Sequence, residues 1–146
     1  RLGEHKNTNS YAHKVIKSYK EIGSQAIFYG FKNQEFVEEK MKTSSIIVIP
    51  SIWEEPFGLV AAEAMSNGIS IIASKVGGMP EIIGDNGVLI ENINYQKLRK
   101  NLIELLRNDS LRESYQQKAW KNFKLSSALS SKKLDDYRRI IFQNYY

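Results

Sequence analysis

The 146-residue sequence has no cysteine, three prolines, two histidines and, between residues 51 and 96, one basic side chain, Lys75. Without cysteine there are no disulfides, thiolate metal sites or cysteine nucleophiles, and the chain suits a reducing, cytoplasmic compartment. Long apolar runs are missing too: residues 46–50 and 59–62 fall far short of the roughly 18 residues of a membrane span, so neither a spanning segment nor a signal peptide is expected. His5 and His13 stand at no metal-binding spacing from carboxylates, and solvent exposure is expected for both. No Gly-x-Gly-x-x-Gly occurs, which removes the fingerprint of a dinucleotide-binding oxidoreductase.

What is present describes a folded domain. With 42% hydrophobic residues the chain can bury a core, and its length fits one domain. It starts at Arg1 and reaches Gly3 before any element can form, so a fragment of something larger is expected. The net charge of +5 is unevenly spread: residues 1–50 carry eight Lys and Arg against five acids, residues 51–96 one against six, and residues 97–146 twelve against five. That C-terminal basicity falls on helical periodicity and reads first as solvated helix faces, then as a surface for anionic lipid. No interleaving of aromatic and basic residues points to nucleic acid.

Apolar spacing predicts helices alternating with short strands. Tyr11, Val15, Ile16, Tyr19 and Ile22 predict a helix before Gly23, and residues 26–29 a strand ending at Gly30. Asn33 is placed to cap a helix whose apolar positions are Phe36, Val37 and Met41. Ile46 to Ile49 reads as a fully buried parallel strand halted by Pro50. A loop over 51–58, a helix from Leu59 to about Asn67, and strands over 70–73 and 87–90 follow, the last after a turn at 84–86. Three stripes close the chain: Leu98, Leu102, Leu105 and Leu106; then Leu111, Tyr115 and Phe123; then Leu134, Tyr137, Ile141 and Tyr145. This alternation predicts an α/β fold with a doubly wound, Rossmann-like parallel sheet that binds its ligands beyond the strands' carboxyl ends.

The specific chemistry lies between Pro50 and Met65. Glu55 and Glu63 are separated by seven residues, the first in a loop and the second inside the next helix. In one continuous helix they would stand about 12 Å apart, but Pro56 and Gly58 make the first part a turn, so both can face one pocket above the sheet. Such carboxylates accept hydrogen bonds from vicinal hydroxyls, while the amides of Gly58 and Leu59 at the helix start can hold an anion.

The run Glu55-Pro56-Phe57-Gly58-Leu59 through Glu63 to Gly68 resembles the donor-binding motif of the retaining glycosyltransferases of family 4, of GT-B fold. The resemblance extends to residues 46–51, to Gly77-Gly78-Met79-Pro80-Glu81, to residues 87–90 and to the C-terminal helices. It implies the C-terminal, donor-binding domain of a two-domain enzyme, incomplete at its N-terminus, that moves a sugar from a nucleotide donor without a metal ion or cofactor. By that pattern Glu55 contacts the donor sugar as the catalytic residue, the backbone of Phe57, Gly58 and Leu59 borders sugar and phosphate, and Glu63 holds the ribose diol. Gly30 and Phe31 fall where family members cradle the base. The acceptor, a glycan or lipid, would belong to the missing N-terminal domain, in a cytoplasmic protein with peripheral membrane contact. The Arg and Lys that neutralise the diphosphate are expected upstream, so neither Arg1 nor Lys6 is nominated.

Each residue also has a plainer reading. Glu63 shares its helical face with Ser66 and Asn67 and suits a solvated carboxylate, Phe57 suits a core anchor, Gly77 and Gly78 suit a tight turn, and Glu54 reads as an exposed neighbour. A non-catalytic nucleotide-sugar binding module is the alternative function. A hydrolase using Glu55 and Glu63 as acid and base fits the phosphate site poorly.

Overall fold

The computed structural model describes residues 29–123 except Glu55, together with Lys17, Ser18, Glu21 and Ile27. The chain divides into two units, Arg1–Lys40 and Met41–Tyr146.

In the first unit Lys17, Ser18 and Glu21 are helical, and the rest of the expected helix over 11–22 lies outside the described residues. Helix α1, Gln34–Lys42, starts as expected: the Oδ1 of Asn33 accepts the Phe36 N–H at 3.1 Å. Tyr29 packs edge-on against Phe36 with ring centroids 5.0 Å apart, and the Lys32 ammonium stands 5.2 Å from the Phe36 centroid. The strand expected over 26–29 is not found at its described positions, since Ile27 and Tyr29 lie outside any strand with both side chains exposed. An apolar run becomes a strand only where a neighbour completes its ladder; Ala26 and Phe28 lie outside the described residues.

The second unit runs β1 (Ile46–Ile49), α2 (Leu59–Ser66), β2 (Ser70–Ser74), α3 (Met79–Ile83), a 3₁₀ turn (Gly84–Asn86), β3 (Val88–Ile90), α4 (Tyr95–Arg107) and α5 (Asp109–Asn122). The strands form a parallel sheet in the order β1-β2-β3, with Ile46 opposite Ser70 and Ile72 opposite Val88. Every residue of central β2 is buried. In β1 only Ile49 is, so the expected full burial is corrected: β1 edges the sheet among the described residues and is covered on fewer sides.

Alternation along β2 feeds two cores. Ile71 and Ala73 join Ala61, Ala64 and Met65 of α2, Met79 and Ile83 of α3 and Ala119 of α5. Ile72 faces the other way, to Ile90 and to Leu105 of α4, with Leu98, Leu102 and Leu111 around them. Helices therefore cover both faces, as expected of a doubly wound sheet. Of the predicted α4 stripe, Leu106 is exposed. Asn94 and Asn108 cap α4 and α5 through side-chain oxygens that accept the Lys97 and Leu111 N–H groups, each at 2.9 Å. Helix α3 was not anticipated, because Gly77, Gly78 and Pro80 read as a turn; Pro80 instead occupies the first turn of that helix. The third stripe, Leu134 to Tyr145, lies outside the described residues.

Candidate functional site

Pro50 ends β1, and the chain runs through an exposed loop to Gly58, which opens α2 in the left-handed conformation with φ 69° and ψ 46°. A glycine is required there twice over. A β-carbon would meet a disfavoured φ, and it would stand 3.1 Å from the Met79 Sδ. The Gly58 carbonyl accepts the Ala61 and Ala62 N–H groups at 3.0 and 3.1 Å. The first amides of α2 have no partner within the helix, and glycine has no side chain to cap them.

The small residues of α2 sort its faces. Ala61, Ala62, Ala64 and Met65 are buried, while Leu59, Val60 and Glu63 are exposed, so Glu63 sits one turn beyond Leu59 on the open face. Its backbone carbonyl accepts from Ser66 Oγ and Asn67 Nδ2, each at 2.8 Å, which ties off the end of the helix behind the carboxylate. Phe57 is 52% exposed, not a core anchor, and it borders a cleft of about 560 Å³ with Pro56, Gly78, Glu81 and Phe123. Phe57, Gly58, Leu59 and Glu63 thus form one continuous stretch of loop and helix. Glu55 lies outside the described residues. Gly30, with φ 65°, and Phe31, 86% exposed, belong to the first unit.

A second cleft, of about 620 Å³, sits where a parallel sheet places ligands, bordered by residues that follow all three strands: Ser51 and Glu54 after β1, Ser74 to Gly77 at the end of β2, and Ile90 to Ile93 after β3. At its rim Lys75 donates to Glu91 Oε1 at 2.6 Å, and this hydrogen bond and charge hold the Glu91 carboxyl below its ordinary value. Lys97 donates to the Glu91 carbonyl at 2.7 Å. The buried Ser74 hydroxyl has no hydrogen-bond partner among the described residues.

Glu54 was read from the sequence as an exposed neighbour. It is exposed, yet its Oε2 accepts the Gly77 N–H at 2.6 Å. The Gly77–Gly78 turn also presses against the loop: a β-carbon on Gly78 would lie 2.9 Å from the Pro56 carbonyl oxygen. The tight turn expected at Gly77 and Gly78 is found, and the close approach at Gly78 adds to it. Only the parallel order of β1 and β2, which sets their carboxyl-end loops side by side, pointed to this meeting.

Residues 3–122 match the sequence profile of the group 1 glycosyl transferases. The chain belongs to that family. The chain is 36% identical over 75 residues to the lipopolysaccharide 1,2-N-acetylglucosaminetransferase of Salmonella typhimurium, covering 51% of this chain and 20% of that protein. The C-terminal domain of the group 1 glycosyl transferase LpcC from Francisella tularensis superposes with a TM-score of 0.70 at 29% identity, over 80% of this chain and 62% of that one. Anabaena HepE in complex with UDP-glucose superposes at 0.68 with 25% identity, over 84% of this chain and 33% of that one. The fold is that of a GT-B glycosyltransferase domain. The chain spans 20–28% of the length of the first curated relatives it matches. Among its described residues no helix is long and apolar enough to cross a membrane.

Proposed function

We propose that this chain is the donor-binding, C-terminal domain of a retaining, metal-independent glycosyltransferase of family 4, which takes a sugar from a nucleoside diphosphate sugar and passes it to a glycan or lipid acceptor held by an upstream domain. The observation that carries the reading is the left-handed Gly58 opening α2, with Leu59 and, one turn beyond it, Glu63 exposed on one face of that helix. The open amides at the helix start suit the donor's phosphate. Glu63 accepts hydrogen bonds from the ribose diol, and Phe57 and Leu59 supply an apolar border. Glu55 contacts the donor sugar and opposes the positive charge that builds at the anomeric carbon as the diphosphate leaves, since charges fixed in advance lower the barrier to that separation. The neighbour that carries UDP-glucose supports a nucleotide-sugar donor, and the Salmonella relative, a lipopolysaccharide N-acetylglucosaminetransferase, supports a glycan or lipid acceptor.

Saturation-transfer NMR against UDP, GDP and ADP sugars tests the donor reading. Transfer from protein to the nucleotide sugar of at least one base is expected, and none with any base refutes it. In the full natural protein, Glu55→Gln is expected to reduce sugar transfer more than nucleotide binding, because its partner is the sugar. Equal losses would remove that division of labour.

A further inference from the structure

The loop between β1 and α2 is held by little apolar burial. Ile52, Trp53 and Phe57 are 84%, 63% and 52% exposed. What fixes it is its apposition to the Gly77–Gly78 turn. The Glu54 carboxylate accepts the Gly77 N–H at 2.6 Å, a β-carbon on Gly78 would stand 2.9 Å from the Pro56 oxygen and 3.4 Å from the Phe57 Cα, and one on Gly58 would stand 3.1 Å from the Met79 Sδ. These approaches bring the loop against that turn, and Glu54 contributes a charge-assisted hydrogen bond to the seating.

We propose that Glu54 is a positioning residue for the donor loop: by holding the Gly77 N–H it keeps Pro56, Phe57 and Gly58 seated against the Gly77–Gly78 turn, and so sets where the start of α2 meets a nucleoside diphosphate sugar. This rests on the donor-site reading above. Glu54 acts through the backbone it holds and touches no ligand. Its charge alone would act in the opposite sense, since a carboxylate beside a diphosphate site repels the donor. Removal of a mere charge tightens donor binding, whereas removal of the tie loosens it by letting the loop populate positions that do not bind.

The test measures dissociation constants for the nucleotide sugar that wild type binds, by calorimetry on the full natural protein, with a thermal melt of each variant. Glu54→Ala is expected to weaken binding about three- to tenfold, the share of one exposed charge-assisted bond. Glu54→Gln, whose amide oxygen accepts the same N–H, should stay within about twofold of wild type. Glu54→Asp, shorter by one carbon–carbon bond of about 1.5 Å, should resemble alanine. Gly78→Ala should also weaken binding by unseating the loop, and the Glu54→Ala/Gly78→Ala pair should lose less than the product of the single losses, because both act on one seat. Unchanged or tighter binding by Glu54→Ala, a glutamine variant as weak as alanine, or a fully multiplicative pair overturns the assignment. If wild type binds no nucleotide sugar of the panel, it is the donor-site reading that fails, and Glu54 loses its role with it.

Discussion

At the amino ends of the three strands, α5 reaches each in turn. Gln116 donates to the Ser45 carbonyl just before β1, Ser70 at the head of β2 donates to the Arg112 carbonyl at 2.8 Å, and Asn122 donates to Asn86 just before β3. At the carboxyl ends no single helix reaches all three strands among the described residues: Lys97 of α4 donates to the Glu91 carbonyl just after β3, Lys75 pairs with Glu91, and Glu54 accepts from Gly77. That edge also holds a cleft of about 620 Å³, a buried Ser74 hydroxyl without a partner among the described residues, and loops seated on each other through glycines. One end is tied to one helix at every strand, while the other is held loop to loop around a cleft. The difference separates stability from ligand binding, and substitutions at the two ends should therefore report on different quantities.

The largest effect is expected from Gly58→Val. A β-branched residue at φ 69°, with its β-carbon against Met79, is strained by about 1–3 kcal/mol and pushes the loop off its seat. Donor affinity should fall more than tenfold, and a variant that folds and binds donor normally would break the comparison at its carboxyl end. Glu63→Ala comes next. Loss of a charge-assisted hydrogen bond is worth about 1.5–3 kcal/mol, roughly tenfold or more in the dissociation constant, with the melting temperature unchanged because the side chain is exposed.

Ser70→Ala tests the other end. It removes the buried bond to Arg112 and should cost about 1 kcal/mol of stability, read by denaturant unfolding, with no change in donor affinity. A loss of affinity at equal saturation of the fold would show the two ends to be coupled. The smallest effect concerns pH. Lys75 holds the Glu91 carboxyl below its ordinary value, so the pair contributes fully above the ordinary glutamate range and its contribution fades as pH falls through the lowered value. Lys75→Met should raise the Glu91 titration midpoint, followed by carboxyl ¹³C shifts, and flatten that part of the acid limb. An unmoved midpoint would show that Lys75 does not set it.

Most of the second unit was legible in the sequence because its signals are local. Pro50 and Gly68 punctuate β1 and α2, residues 71–73 are an unbroken apolar run, and Asn94 and Asn108 precede their helices at capping distance. The motif's loop-to-helix step at Gly58 was legible too, since Pro56 and Gly58 mark a turn before the helix that carries Glu63. Missed features depended on partners remote in sequence. Glu54 finds Gly77 only after β1 and β2 pair, Phe57 proves half exposed although its residue type favours burial, and Ile27 and Tyr29 lie outside any strand although their residue types favour one. Helix α3 was hidden for another reason: glycine and proline mark both turns and helix starts, and only the burial of Met79 and Ile83 distinguishes them.

The alanines of α2 carry a consequence for how such a sequence can drift. Ala61 and Ala64 are wholly covered, so any larger residue at either place lifts the helix off the sheet and moves Glu63 with it. Leu59, Val60 and Glu63, on the other side of the helix, are exposed. A library of random substitutions would thus find two sequences threaded on one helix, one nearly frozen by packing and one free of packing and answerable to the ligand. Changes of substrate preference can accumulate on the free one while the frozen one keeps the geometry in which they are read.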